Sequence, residues 1–131
     1  MEKSSSTGDD AVRAAARAVT QGDITELSAF AAPPQAVKAM MEAVQLLLGQ
    51  PVHVATDFGR AKRLLKATRK EGLLQQISER NIDLVAMDAA RRAKQSLGPY
   101  SAEQMKNVSM AGVSLFNWVT AVIEAVERRG E

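Results

Sequence analysis

The C-terminal segment imposes the first constraint. Val108, Gly112, Leu115, Val119, Val122 and Val126 succeed one another at intervals of four, three, four, three and four residues. Positions spaced in this way return to one side of an α-helix and form the heptad seam of a coiled coil. A seam of that length at the end of a chain needs a second helix to cover it. The other end of the chain offers one. Over residues 11–32, Val12, Ala16 and Val19 make one stripe, and Ile24, Leu27 and Phe30 or Ala31 make another. The five-residue step from Val19 to Ile24, with Gly22 inside it, changes the phase of the stripe. Either the register is unsettled there or two short helices meet at Gly22. The pattern predicts an antiparallel pairing of the first and last helices, with a small helical bundle between them at the tip.

The intervening segment has helical punctuation. Pro33-Pro34 stops the first helix, and Pro34 is suited to open the next, because proline pre-sets the helical φ at a first helical position. Val37, Met40, Met41, Val44, Leu47 and Leu48 then fall on one face, Lys38, Glu42 and Gln45 on the other, and Gly49 closes the helix. Residues 50–56 read as a loop. A helix capped by Asp57 is expected to run to about Arg69 with Leu64 and Leu65 inward, followed by a short packed segment at Leu73, Leu74 and Ile77. Asn81 is expected to cap a helix over Ile82–Gln95 that ends near Gly98-Pro99. Ser101 and Gln104 form a capping box that opens the last helix. Strong helix formers dominate and strand-like β-branched or aromatic runs are missing, so the fold class is all-α.

Composition removes several functions. Seventeen basic residues face 15 acidic ones, a net charge of +2, far from the balance of a nucleic-acid binder. There is no cysteine, which removes thiolate catalysis and zinc–cysteine sites and suits a reducing compartment. His53, the single histidine, falls in the 50–56 loop, where a solvated residue is the plain reading, so no metal site and no cofactor are expected. No phosphate loop of the G-x-x-x-x-G-K-[ST] type occurs, and no paired carboxylates suggest catalysis. No uninterrupted apolar run approaches 18 residues, so no membrane partner is expected. Residues 1–10 are polar and read as a disordered leader.

A series of short motifs then brings a family into view. Asp23-Ile24-Thr25-Glu26-Leu27 through Phe30, Pro33-Pro34 and Val37-Lys38 resembles the opening of the microtubule-binding stalk head of dynein heavy chains. Met41-Glu42-Ala43-Val44 with Leu46-Leu47-Leu48-Gly49, then Asp57-Phe58 with Ala61-Lys62-Arg63-Leu64-Leu65, continue it, with Phe58 where that family usually has tryptophan. Asn81-Ile82, Lys106-Asn107-Val108-Ser109 and Asn117-Trp118-Val119 complete the series, in order, over roughly residues 20 to 122. Residues 66–100 are more diverged, and Asn117 stands where a basic residue often precedes the tryptophan.

The resemblance implies a helical head, residues 33–107, on stumps of a two-helix coiled-coil stalk: 11–32 as the first stalk helix, and 108–131 as the last head helix continuing into the second. It implies tubulin as partner and affinity set by the register of the stalk helices. It also implies a monomer in isolation and residence on the cytoskeleton, in the cytoplasm or a ciliary axoneme. An adaptor domain that docks an accessory protein, such as an axonemal dynein light chain, is the alternative. Lys38, Arg69, Lys70, Arg91, Arg92, Lys94 and Lys106 are the candidate contacts to acidic tubulin. Taken singly, each is otherwise an ordinary solvated charge. Ile24 and Leu27 join the six seam residues as the stalk interface. Met40, Met41 and Trp118 are read as packing residues, and Gly112 as a point of close helix approach rather than a soft spot in the seam.

Overall fold

The computed structural model describes residues 6–68 and 72–130. Among them the regular structure is entirely helical: α1 Ser6–Ala18, α2 Gln21–Ser28, α3 Gln35–Leu47, α4 Val52–Ala55, α5 Phe58–Lys66, α6 Leu73–Glu79, α7 Met87–Leu97, α8 Ala102–Val108 and α9 Met110–Gly130, with a 3₁₀ turn at Ile82–Leu84. The first helix takes in Ser6–Asp10, which the sequence had assigned to a leader.

The N-terminal stripe is broken at Thr20, two residues before Gly22. Thr20 is extended (φ −111°, ψ 163°), and its hydroxyl accepts from the Asp23 amide while the Asp23 carboxylate accepts from the Thr20 amide. This Thr-x-x-Asp box opens α2 and places Gly22 inside it. The break absorbs the five-residue step, so Val12, Ala16 and Val19 on α1 and Ile24 and Leu27 on α2 all remain buried.

α9 is the axis of the molecule. α1, α2, α3, α7 and α8 all pack against it. α2 runs antiparallel to it: the Ser114 hydroxyl donates to Asp23 at 2.9 Å, and Ser109, five residues earlier, donates to Glu26 at 3.5 Å. Leu115, Val119, Val122 and Val126 are fully buried, as the seam predicts, but so are Ala111, Phe116, Trp118 and Ile123 nearly or completely. The apolar arc of α9 is therefore wider than the seam of a two-helix coil and suits a helix surrounded by neighbours. The N-terminal helices do pack on it, and α3, α7 and α8 cover it as well. By length and composition Met110–Arg129 is apolar enough to cross a membrane, which the sequence reading excluded for the whole chain. Half of that stretch is buried inside the molecule.

Other local expectations change too. Val108 leaves the seam: it is the last residue of α8, 37% exposed, and an extended Ser109 separates it from α9. The 50–56 loop contains the single turn α4, fixed from below by the buried Gln45 side chain, which donates to the Ala55 carbonyl at 3.1 Å. Asp57 does cap α5, accepting from the Gly59 amide at 2.9 Å, but the helix ends at Lys66. Asn81 caps the 3₁₀ turn rather than a long helix, and α7 starts only at Met87. Pro34 is the N-cap of α3 rather than its first residue, and Gly49 follows the C-cap with φ +95°, a conformation that favours glycine. The Ser101–Gln104 capping box forms, but it opens α8 rather than the last helix.

Candidate functional site

The seven candidate cations divide into three groups. Arg69 and Lys70 lie outside the described residues. Arg91, Arg92 and Lys94 share α7, whose Ala90, Ala93 and Leu97 face the core, and all three are already engaged. The Arg92 Nε donates to Asp88 at 2.9 Å, and the Arg91 guanidinium reaches the same carboxylate at 3.4 Å. The hydrogen bond from Arg92, then its charge, then that of Arg91, hold the Asp88 carboxyl below its ordinary range. Two arginines around one aspartate leave about one net positive charge there. Lys94 crosses to α9 and pairs with Glu127 at 2.8 Å, joining the two helices. All three are exposed, as a solvated charge run would be, but Arg91 and Arg92 share Asp88 while Lys94 ties α7 to α9.

Lys38 and Lys106 form the third group. Both are exposed, and neither side chain makes a hydrogen bond or ion pair with a described residue. Lys38 stands one turn into α3, its amide donating to the Pro34 carbonyl at 3.2 Å. The Pro33-Pro34 stop therefore fixes where this ammonium emerges. It borders an open cleft of about 320 Å³ whose walls include Phe58, Tyr100, Gln35 and Thr56. Glu42, one turn further along α3, is occupied by Ser96 of α7, whose hydroxyl donates to it at 2.8 Å. Glu42 lines the same cleft, yet no ion pair joins it or any other described carboxylate to Lys38. Lys106 lies in the last turn of α8, a helix that packs on both α3 and α9. Its neighbour Met105 is fully buried.

One group of cations was not singled out from the sequence as contacts. α5 reads Phe-Gly-Arg-Ala-Lys-Arg-Leu-Leu-Lys: four cations and no acid in nine residues. Ala61 and Leu65 are buried beneath them, and among the described residues only Asp57, 4.0 Å from Arg60, offers these cations a carboxylate. Arg63 and Lys66 sit in the last turn, where cations complement the negative end of the helix dipole. Lys62-Arg63 had entered only as part of a motif. The absence of any acid at i+3 or i+4 was the available signal.

Two further arginines serve the fold. Arg80 donates to the Leu47 carbonyl at 2.9 Å, closing the end of α3. Arg129 donates to the carbonyls of Ile82 at 2.7 Å and Val85 at 2.6 Å, pinning the 3₁₀ turn to the end of α9. His53 is exposed in α4. Among the described residues no three of His, Cys, Asp and Glu approach closely enough to share a metal ion. The surface that results can offer unpaired ammonium and guanidinium groups on α3, α5 and α8 to an acidic partner. No family model matches the chain.

Proposed function

We propose that this chain is a microtubule-binding module, the stalk head of a dynein-type motor heavy chain, with no catalytic chemistry of its own. The observation that carries the reading is the ordered motif series from Asp23 to Val119. The fold is compatible with it in two respects. α1 and α2 pack along α9, α2 antiparallel, as two stalk helices entering a head would. Lys38, placed directly after the double proline, is a cation without an internal partner. In this reading α3 and α8 present Lys38 and Lys106 to acidic tubulin, and α5 adds to the field. Displacement of α1–α2 along α9 alters the grip. Arg91 and Arg92 contribute less, because Asp88 already neutralises one of them, and Lys94 contributes through the fold.

Exposed ion pairs are each worth about 0–1 kcal/mol, so binding must come from several together and must weaken as salt screens them. The test is co-sedimentation with stabilised microtubules across a salt series. The native chain is expected to pellet at low salt and to be released as salt rises. Lys38→Glu with Lys106→Glu should weaken binding about tenfold or more, since two reversals remove attraction and add repulsion worth about 1.4 kcal/mol together. Pelleting unchanged by the double reversal would remove α3 and α8 as the contact. No pelleting even at low salt, in chains crosslinked at several α2–α9 registers, would sink the tubulin reading and leave the adaptor alternative.

A further inference from the structure

The heptad spacing runs without interruption from Val108 into α9, yet the helix stops there. Ser109 is extended (φ −162°, ψ 117°), and α8 folds back. Three contacts hold this arrangement. The Ser109 hydroxyl accepts from the Gly112 amide at 3.2 Å, satisfying one of the unpaired donors at the start of α9. The same hydroxyl donates to Glu26 of α2 at 3.5 Å. Gly112 leaves a notch that the fully buried Met105 fills: a Cβ there would stand 2.7 Å from the Met105 sulfur and 3.1 Å from its Cγ. In a continuous helix Met105 and Gly112 would lie about 10 Å apart along the axis and could not touch. One sequence thus supports two local structures, a straight helix with Val108 on the seam and a bent one with Met105 in the notch. The residue that decides between them is held by α2.

We infer that Ser109–Gly112 is a hinge through which the position of α2 sets the placement of α8, and with it the placement of Lys106. With Glu26 on Ser109 and Asp23 on Ser114, α8 stays folded back against α3 and α9. Sliding α2 along α9 withdraws Glu26 and frees the Ser109 hydroxyl. The hinge residue can then turn helical, and α8 swings out in line with α9. Ser109 and Gly112 act here as positioning residues; they need not touch a partner. The functional half of this inference rests on the microtubule-binding reading, but the hinge itself does not.

The absence of native cysteine allows a direct test. Nitroxide labels at Glu103→Cys and Glu124→Cys, both exposed, report the α8–α9 geometry by pulsed dipolar spectroscopy. A continuous helix separates these positions by about 32 Å along its axis, and any bend shortens the distance. The parent chain and Ser109→Thr, which keeps the hydroxyl and favours extended backbone, should give the short distance. Ser109→Ala, which removes the hydroxyl, and Gly112→Ala, which fills the notch, should each gain a population near 32 Å. If both alanine variants keep the parent distance, the hinge is refuted. Should Gly112→Ala fail to fold, Ser109→Ala decides alone. The functional half is read by repeating the microtubule pelleting with Lys106→Glu. A several-fold loss in the parent should shrink to near none in Ser109→Ala and return in Ser109→Thr, a pattern that a general loss of stability would not produce. A distance shift with an undiminished Lys106→Glu effect would overturn the positioning role. A distance shift with no pelleting by any chain would count against the tubulin reading and leave the hinge standing.

Discussion

Asp88 sits between two arginines of its own helix and is the group whose acidity the fold changes most clearly. With Arg92 hydrogen-bonded to it and Arg91 close by, its carboxyl titrates below the ordinary value of 3.8. A lowered carboxyl contributes stability above its unfolded pKa and loses it as pH falls through the lowered folded value. Any contribution of Asp88 is thus fully present at neutral pH and disappears only in strong acid. An NMR titration of the Asp88 side chain should place its midpoint below 3.8, and Arg92→Gln should move it back toward that value. The same residue explains a limit of the sequence reading. Arg91, Arg92 and Lys94 look like a cluster in a row, yet Asp88 lies three and four residues earlier, one helical turn away, so that pairing was open to prediction. The partner of Lys94 was not: Glu127 is 33 residues distant in sequence and is brought there only by the packing of α7 on α9.

At the scale of elements, the caps were legible and the breaks were not. Ser101–Gln104 and Asp57 worked as read, because a cap is a local exchange of hydrogen bonds. Thr20–Asp23 is the same kind of box, two residues before Gly22. The break at Ser109 leaves no phase error in the apolar pattern. It is fixed in part by Glu26, 83 residues away in sequence, and by Met105, whose seat against Gly112 exists only once the chain has bent. The distinction predicts opposite outcomes for two positions that the heptad treats alike. Leu115→Ala removes a fully buried side chain and should cost about 3 kcal/mol in urea unfolding. Val108→Ala trims an exposed one and should stay within about 0.5 kcal/mol. Equal losses at both would restore Val108 to the seam.

For the whole molecule, the sequence conveyed the class and the end-to-end pairing of helices but assigned α9 too small a part. Only one of its stripes was counted, and a single stripe suggests a two-helix coil. The second stripe, through Ala111, Phe116, Trp118 and Ile123, makes it the element on which the rest of the chain assembles. No helix that packs on α9 can be removed without uncovering part of that element, so partial unfolding gains little. Unfolding should therefore be a single cooperative transition, with tryptophan emission and far-ultraviolet circular dichroism superimposing in urea. A separate early phase for α1 would contradict this.

Trp118 gives that measurement a particular optical character. It is the sole tryptophan, none of its surface is accessible, and among the described residues its indole Nε1 has no hydrogen-bond partner. An indole excited in such dry surroundings cannot relax against mobile dipoles. Its light should emerge at the blue limit of the tryptophan range and resist quenching by iodide. The molecule thus carries, at the middle of its central helix, a lamp whose colour reports whether water has reached the core.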